Sequence, residues 1–174
     1  VLDEKVWLRT WHRDTKGAQF YRCYQFLDAA GNPLIESVSA FALVDPVTHK
    51  LLRPEVFQPF GVETQPDRVN GCPDPGRLRP PAALVPAGTR RVYWSDTDYN
   101  GHLNNTVYAD ILCDFLPGGM EGKRLTGFSI SFLKEAMEGE DLVVSACAAP
   151  GEAWVAAAHQ RGTCFEARAT FMEE

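Results

Sequence analysis

Val92-Tyr93-Trp94-Ser95-Asp96-Thr97-Asp98-Tyr99-Asn100-Gly101-His102-Leu103-Asn104-Asn105-Thr106-Val107-Tyr108 decides the fold, because an alternating strand passes there through a polar, glycine-containing turn into an amphipathic helix. The helix is predicted from about Asn105 to Phe115, with Asn104 or Asn105 as its N-cap and Leu116-Pro117-Gly118-Gly119 as its stop. Val107, Ile111, Leu112 and Phe115 recur at helical spacing, so one face is apolar and needs a sheet to bury it. An acid, amides and an imidazole gathered before a helix start also suit developing negative charge, since the first-turn N–H groups and the positive dipole end favour an anion there.

Downstream, strands are predicted near Leu125–Leu133, Asp141–Ala149, Ala153–His159 and Cys164–Met172, and upstream one runs from about Arg90 to Ser95. Residues 90–174 therefore read as one helix and about five strands. Before them, Val6–Trp11, Ala18–Leu27 and Leu34–Val44 form three strand-like runs. Turn signals at Asp14-Thr15-Lys16-Gly17 and Ala30-Gly31-Asn32-Pro33 separate these runs into an antiparallel meander. Between the two patterns, residues 54–86 hold eight of the twelve prolines, a composition that sustains neither a central strand nor a helix interior. The predicted organisation is a first strand-rich segment over 1–53, a proline-rich linker over 54–89 and a second domain over 90–174.

Composition narrows the function. A chain of 174 residues that is 45% apolar is a folded globular protein with room for a sizeable core. A net charge of −6 and the lack of any long basic run argue against nucleic acid as a partner. No apolar run approaches a membrane span, and Val1-Leu2-Asp3-Glu4-Lys5 lacks the features of a signal peptide, so the expected address is the cytoplasm. Cys23, Cys72, Cys113, Cys147 and Cys164 are odd in number and widely spaced, which suggests packed, reduced thiols rather than a disulfide framework or a zinc site. His12, His49, His102 and His159 show no metal-ligand spacing, and no glycine-rich phosphate loop is present. Neither a metal nor an organic cofactor is expected.

One helix followed by an antiparallel meander is the layout of the hotdog fold, an α+β architecture in which the sheet wraps the helix. Ser95 through Tyr108 resembles the signature of the acyl-acyl-carrier-protein (acyl-ACP) thioesterases, Asp-x-Asn-x-His followed by a hydrophobic residue, Asn-Asn and a Tyr. Val6-Trp7-Leu8-Arg9-Thr10-Trp11, Lys16-Gly17, the turn from Leu27-Asp28 to Gly31, Leu43-Val44-Asp45 and Arg53-Pro54 resemble the end of that family's first hotdog domain and its exit into the interdomain linker. The resemblance implies one complete hotdog and part of another, the first without its opening strand, central helix and next strand. Three strands alone leave an apolar sheet face bare, so a second subunit in a homodimer, or further residues, is expected to cover it.

Carried onto this chain, the family's catalytic set falls on Asp98, Asn100, His102 and Glu135. The resemblance implies hydrolysis of acyl-ACP thioesters to free fatty acid, with acyl carrier protein and a fatty acyl chain as the substrate partners. Asp98 would activate water or attack directly, Asn100 would orient Asp98 or the water, His102 would donate a hydrogen bond or hold the turn, and Glu135 would help activate water. Such chemistry needs a base at the carbonyl carbon, donors for the carbonyl oxygen and a proton for the leaving thiol. The amides near Leu103 to Asn105 are candidate oxyanion donors, with Asn104 and Asn105 also candidates for substrate contact. A Cys-His-Asn mechanism is disfavoured, because the position after the glutamate is Ala136. Arg77 and Arg79, with Arg90 and Arg91, fall in a stretch free of acidic residues from Gly76 to Ser95, which suits docking of an acidic carrier protein.

Competing readings use the same residues. Asp96, Asp98 and Asn100 suit turns in which their side chains bond backbone amides, and Glu135, Glu138 and Glu140 suit a solvated acidic turn. Trp7, Trp11, Phe128, Ile130 and Phe132 are expected in the core. The alternatives to an acyl-ACP hydrolase are an acyl-CoA thioesterase of the single-hotdog type and a non-catalytic acyl-binding hotdog protein.

Overall fold

Alternation in the two halves of the chain produces two antiparallel sheets, seen in a computed structural model that describes residues 4–45, 47–48 and 50–174. The start at Val1–Asp3 and His49, both used in the sequence reading, lie outside the described residues. The chain divides into compact units at residues 1–76 and 77–174.

In the first unit, β1 (Trp7–Lys16), β2 (Gln19–Leu27), β3 (Pro33–Val44) and β4 (Leu51–Leu52) make a four-stranded sheet in that order. β1 runs further than the sequence suggested, through an irregularity between His12 and Asp14, so the first turn tightens to Gly17-Ala18 with Gly17 at φ 61°. Asp28 builds the second turn, its carboxylate accepting the N–H groups of Ala30 and Asn32. Trp11, Phe20, Tyr21, Cys23 and Leu27 are buried. Trp7, by contrast, is 65% exposed at the start of an edge strand, which corrects its expected place in the core. Leu8, Phe26 and Ile35 are opposed across the three strands and form an exposed apolar row.

The proline-rich segment is not a free linker. After a 3-10 turn at Pro54–Phe60, its residues up to Gly76 lie along the first sheet and satisfy their polar groups on it. Gln65 N–H donates to the His12 carbonyl, the Trp11 indole to the Arg68 carbonyl at 2.7 Å, and the Asn70 amide to the Ser37 carbonyl. Asp74 bridges Arg13 and Lys16, each at 2.6 Å.

In the second unit, β5 (Val85–Arg91), α1 (Asn105–Asp114), β6 (Lys123–Phe132), β7 (Asp141–Ala149), β8 (Glu152–His159) and β9 (Gly162–Glu173) follow one another. The strands pair antiparallel in the order β5-β7-β8-β9-β6. β5 begins five residues before the predicted Arg90 because it is an edge strand, where Pro86 costs no ladder bond. Gly88 there has φ 155°, and a Cβ would meet the Phe115 ring at 2.8 Å.

The core lies between α1 and the sheet. Ile111, Leu112 and Tyr108 project from the helix onto Ala146, Ala153, Ala157, Ala167 and Ala169, all buried. Small side chains on the sheet leave the volume that the large helix residues fill, which is how two elements reach interior packing density. Tyr108 is a core residue absent from the predicted face, whereas Val107 and Phe115 are half-buried. Phe128 and Phe132 are 43% and 48% exposed, against expectation. Their strand β6 is at the sheet edge, beyond full cover by one helix, although Phe132 meets the Tyr108 ring edge-on at 5.4 Å. Among the described residues, no helix is long and apolar enough to cross a membrane.

Candidate active site

A short 3-10 turn, Trp94–Asp96, carries the chain from β5 towards α1. Asp96 fixes it: its carboxylate accepts from Tyr93 N–H at 2.9 Å and pairs with Arg90 at 2.9 Å, and its carbonyl accepts from Asn104 N–H. With every part of Asp96 engaged, its role is to set the geometry of the next residues.

Asp98 sits differently. Its backbone N–H donates to the His102 carbonyl at 2.8 Å and its carbonyl accepts from Gly101 N–H, closing a turn that needs Gly101 at φ 77°. One carboxylate oxygen then accepts the N–H groups of Asn100 at 2.8 Å and His102 at 3.2 Å, while the other faces the Asn100 amide at 3.4 Å. Burial pushes the Asp98 carboxyl up, but these three donors and the nearby His102 ring outweigh it and hold the group below its ordinary value. Asp98 is thus an anion at neutral pH, with one oxygen in a firm cradle and the other held only loosely.

Glu135 joins the turn from the far side of the β6–β7 connection. His102 and Leu103 pair with the chain around Ala136, Leu103 N–H donating to the Ala136 carbonyl at 2.8 Å and His102 bridging to Met137. That pairing brings the Glu135 carboxylate to 3.4 Å from His102 Nε2. Asp98, Asn100, His102 and Glu135 therefore form one connected constellation, the first two exposed or half-exposed and the last reaching into solvent.

Asn104 is the N-cap of α1, its side-chain oxygen accepting Thr106 N–H at 3.0 Å and the Thr106 hydroxyl at 2.9 Å. Two of the three proposed oxyanion amides are already engaged: Leu103 with Ala136 and Asn104 with Asp96. Asn105 is exposed at the first helical position, where its N–H has no acceptor within the helix. Arg77 and Arg79 are exposed in the segment before β5, outside the constellation. All five cysteines are unpaired, and burial pushes the Cys164 thiol up, away from a reactive thiolate.

Two residues given no place in the site by the sequence pattern touch it. His159 and Arg161 both donate to the Glu135 carbonyl at 3.0 Å, and Arg161 also binds the Glu140 carboxylate. No spacing rule links them to Glu135, because only the β8–β9 hairpin register brings them there.

Residues 88–167 match the acyl-ACP thioesterase C-terminal domain. The chain is similar in fold to an acyl-ACP thioesterase from Bacteroides thetaiotaomicron, 20% identical with a TM-score of 0.75 over 97% of this chain and 69% of that one. It is also similar to the 12:0-ACP thioesterase from Umbellularia californica, 18% identical with a TM-score of 0.73 over 96% of this chain and 67% of the other. No curated protein matches it in sequence. These likenesses place the architecture in the hotdog class, an antiparallel sheet around a single helix.

Proposed function

We propose that this chain, whose residues 88–167 match the acyl-ACP thioesterase C-terminal domain, is a thioester hydrolase for fatty acyl substrates that releases fatty acid from acyl carrier protein by carboxylate-assisted attack of water. The observation that supports this reading best is the Asp98 carboxylate, charged and cradled at the mouth of α1 beside the His102–Glu135 pair.

In the proposed reaction, the less engaged oxygen of Asp98 takes a proton from water as the water oxygen bonds to the thioester carbon. Asn100 steadies Asp98 through its backbone N–H and its side-chain amide. The carbonyl oxygen gains charge, and Asn105 N–H is the helix-start donor available to it. Collapse of the tetrahedral species breaks the C–S bond, and the proton held by Asp98 passes to the departing thiolate. His102 and Glu135 act as a pair, the carboxylate fixing the imidazole as a donor at the edge of the site.

Thiol release from acyl-ACP and acyl-CoA thioesters of increasing chain length tests the proposal. Faster turnover of the carrier-bound substrates is expected, and equal or faster turnover of acyl-CoA would overturn the carrier preference. Binding of acyl groups without hydrolysis would instead identify an acyl-binding protein.

Arg77 and Arg79 are proposed to dock the acidic carrier. They are exposed and close to one another in sequence, on a chain whose net charge is −6. Reversing both to Glu is expected to raise KM for acyl-ACP by about tenfold at low salt, through lost steering, and to leave acyl-CoA nearly unchanged. Equal effects on both substrates in steady-state kinetics would count against carrier docking.

A further inference from the structure

Resting on the thioesterase reading above, we propose that His159, together with Arg161, is a positioning residue of the hydrolase: the end of the β8–β9 hairpin grips the Glu135 backbone so that the Glu135 carboxylate stays against His102.

The His159 side chain is 2% exposed. Its Nδ1 accepts Arg161 N–H at 3.0 Å, which places the ring proton on Nε2, and Nε2 then donates to the Glu135 carbonyl at 3.0 Å. Arg161 adds a second donor to the same carbonyl, and both oxygens of Glu140 hold its guanidinium at 2.8–2.9 Å. Glu140 in turn accepts Met137 N–H at 2.8 Å, within the loop that carries Glu135. On the other side of Glu135, Leu133 and Lys134 N–H groups donate to the Cys164 carbonyl at 2.8 and 3.2 Å, and Lys134 Nζ donates to the Arg161 carbonyl.

The chain is therefore held on both sides of Glu135: before it by the Leu133 and Lys134 N–H groups on Cys164, and after its Cα by His159 and Arg161 on the Glu135 carbonyl and by Leu103 on the Ala136 carbonyl. A carbonyl on an exposed loop can be satisfied by water at almost no cost. Here it receives a buried imidazole and a guanidinium, at the residue whose side chain faces His102. Such redundancy is what a site needs when a misplacement of about 1 Å costs about a hundredfold in rate.

The experiment compares His159→Leu, His159→Gln and Glu135→Gln in the full chain, with the double variant His159→Leu/Glu135→Gln. His159→Leu is expected to lower kcat on acyl-ACP by about tenfold or more with little change in KM. His159→Gln, which keeps an N–H near the position of Nε2, is expected to restore most of that loss. In the Glu135→Gln background, His159→Leu is expected to cost nothing more, because the group it positions is already disabled. An equal loss in both backgrounds would mean that His159 serves the fold and not Glu135, and would overturn the inference. Heteronuclear NMR of the histidine rings gives a readout without turnover. The His102 cross-peak should move in Glu135→Gln and in His159→Leu in the same direction, and an unmoved His102 signal in His159→Leu would overturn the inference as well. If the wild-type chain released no thiol from any acyl thioester, the hydrolase reading would fail, and the NMR comparison would still decide whether His159 sets Glu135 against His102.

Discussion

Asp98→Asn is expected to lower kcat for acyl-ACP hydrolysis by about a hundred- to ten-thousandfold, the range for removal of a positioned general base, with the fold intact. The turn survives because the oxygen that accepts the Asn100 and His102 N–H groups is present in asparagine too, and Asn forms the same kind of turn as Asp. The oxygen that becomes an amide faces the exposed Asn100 side chain, which can rotate away. What disappears is the negative charge and the capacity to hold a proton. Stability supplies a check with a definite sign. The folded carboxyl lies below its ordinary value, so its ionised form contributes stability above the unfolded pKa, and that contribution is lost as pH falls through the folded one. Any deficit in melting temperature of Asp98→Asn should therefore be present at neutral pH and shrink in acid. Steady-state kinetics at neutral pH decide the role: turnover like that of the wild type would remove Asp98 from the mechanism and leave Glu135 as the base.

What could be read in advance depended on how local each signal was. Helix α1 was legible because its cap, its apolar spacing and its Pro-Gly stop lie within fifteen residues, and Asn104 does cap it. β7, β8 and β9 were legible from alternation alone, and their inward positions form the core. Asp98, Asn100 and His102 were visible as a cluster since one turn holds them all. Glu135 entered only through the family resemblance; on local grounds it belonged to an acidic turn, and it reaches His102 through the pairing of Leu103 with Ala136. His159 and Arg161 had no signal at all, being 24 and 26 residues from the carbonyl they bind. Phe128 and Phe132 misled for a related reason: alternation assigns a face, but strand order decides whether that face is covered, and β6 falls at an edge. The prolines misled in the opposite direction. They exclude regular ladders, yet residues 61–76 still lie against the first sheet through single hydrogen bonds and the Asp74 bridges.

Asn105→Pro is the sharper test of where the oxyanion is held, with an expected loss of about a hundred- to a thousandfold in kcat, the usual result of deleting one such donor. A proline at the first helical position removes the N–H without breaking a helical bond, since that N–H has no partner in the helix, and the proline ring favours the helical φ. The preceding residue must be extended, and Asn104 already is, at φ −60° and ψ 137°. The Asn104 carbonyl keeps its bond from Val107, and the Asn104 side chain keeps its cap on Thr106. Helix α1 and its buried Tyr108, Ile111 and Leu112 should therefore be undisturbed, which circular dichroism and the melting temperature can verify. Asn105→Ala separates the two parts of the residue, because it deletes the side chain and leaves the N–H in place. If the backbone donor carries the effect, Asn105→Ala should stay within about threefold of the wild type while Asn105→Pro falls by the full factor. Equal losses in the two variants would assign the effect to the Asn105 side chain. Activity in Asn105→Pro matching that of the wild type would mean that the oxyanion is held by groups other than the start of α1, with His102 next to be tested.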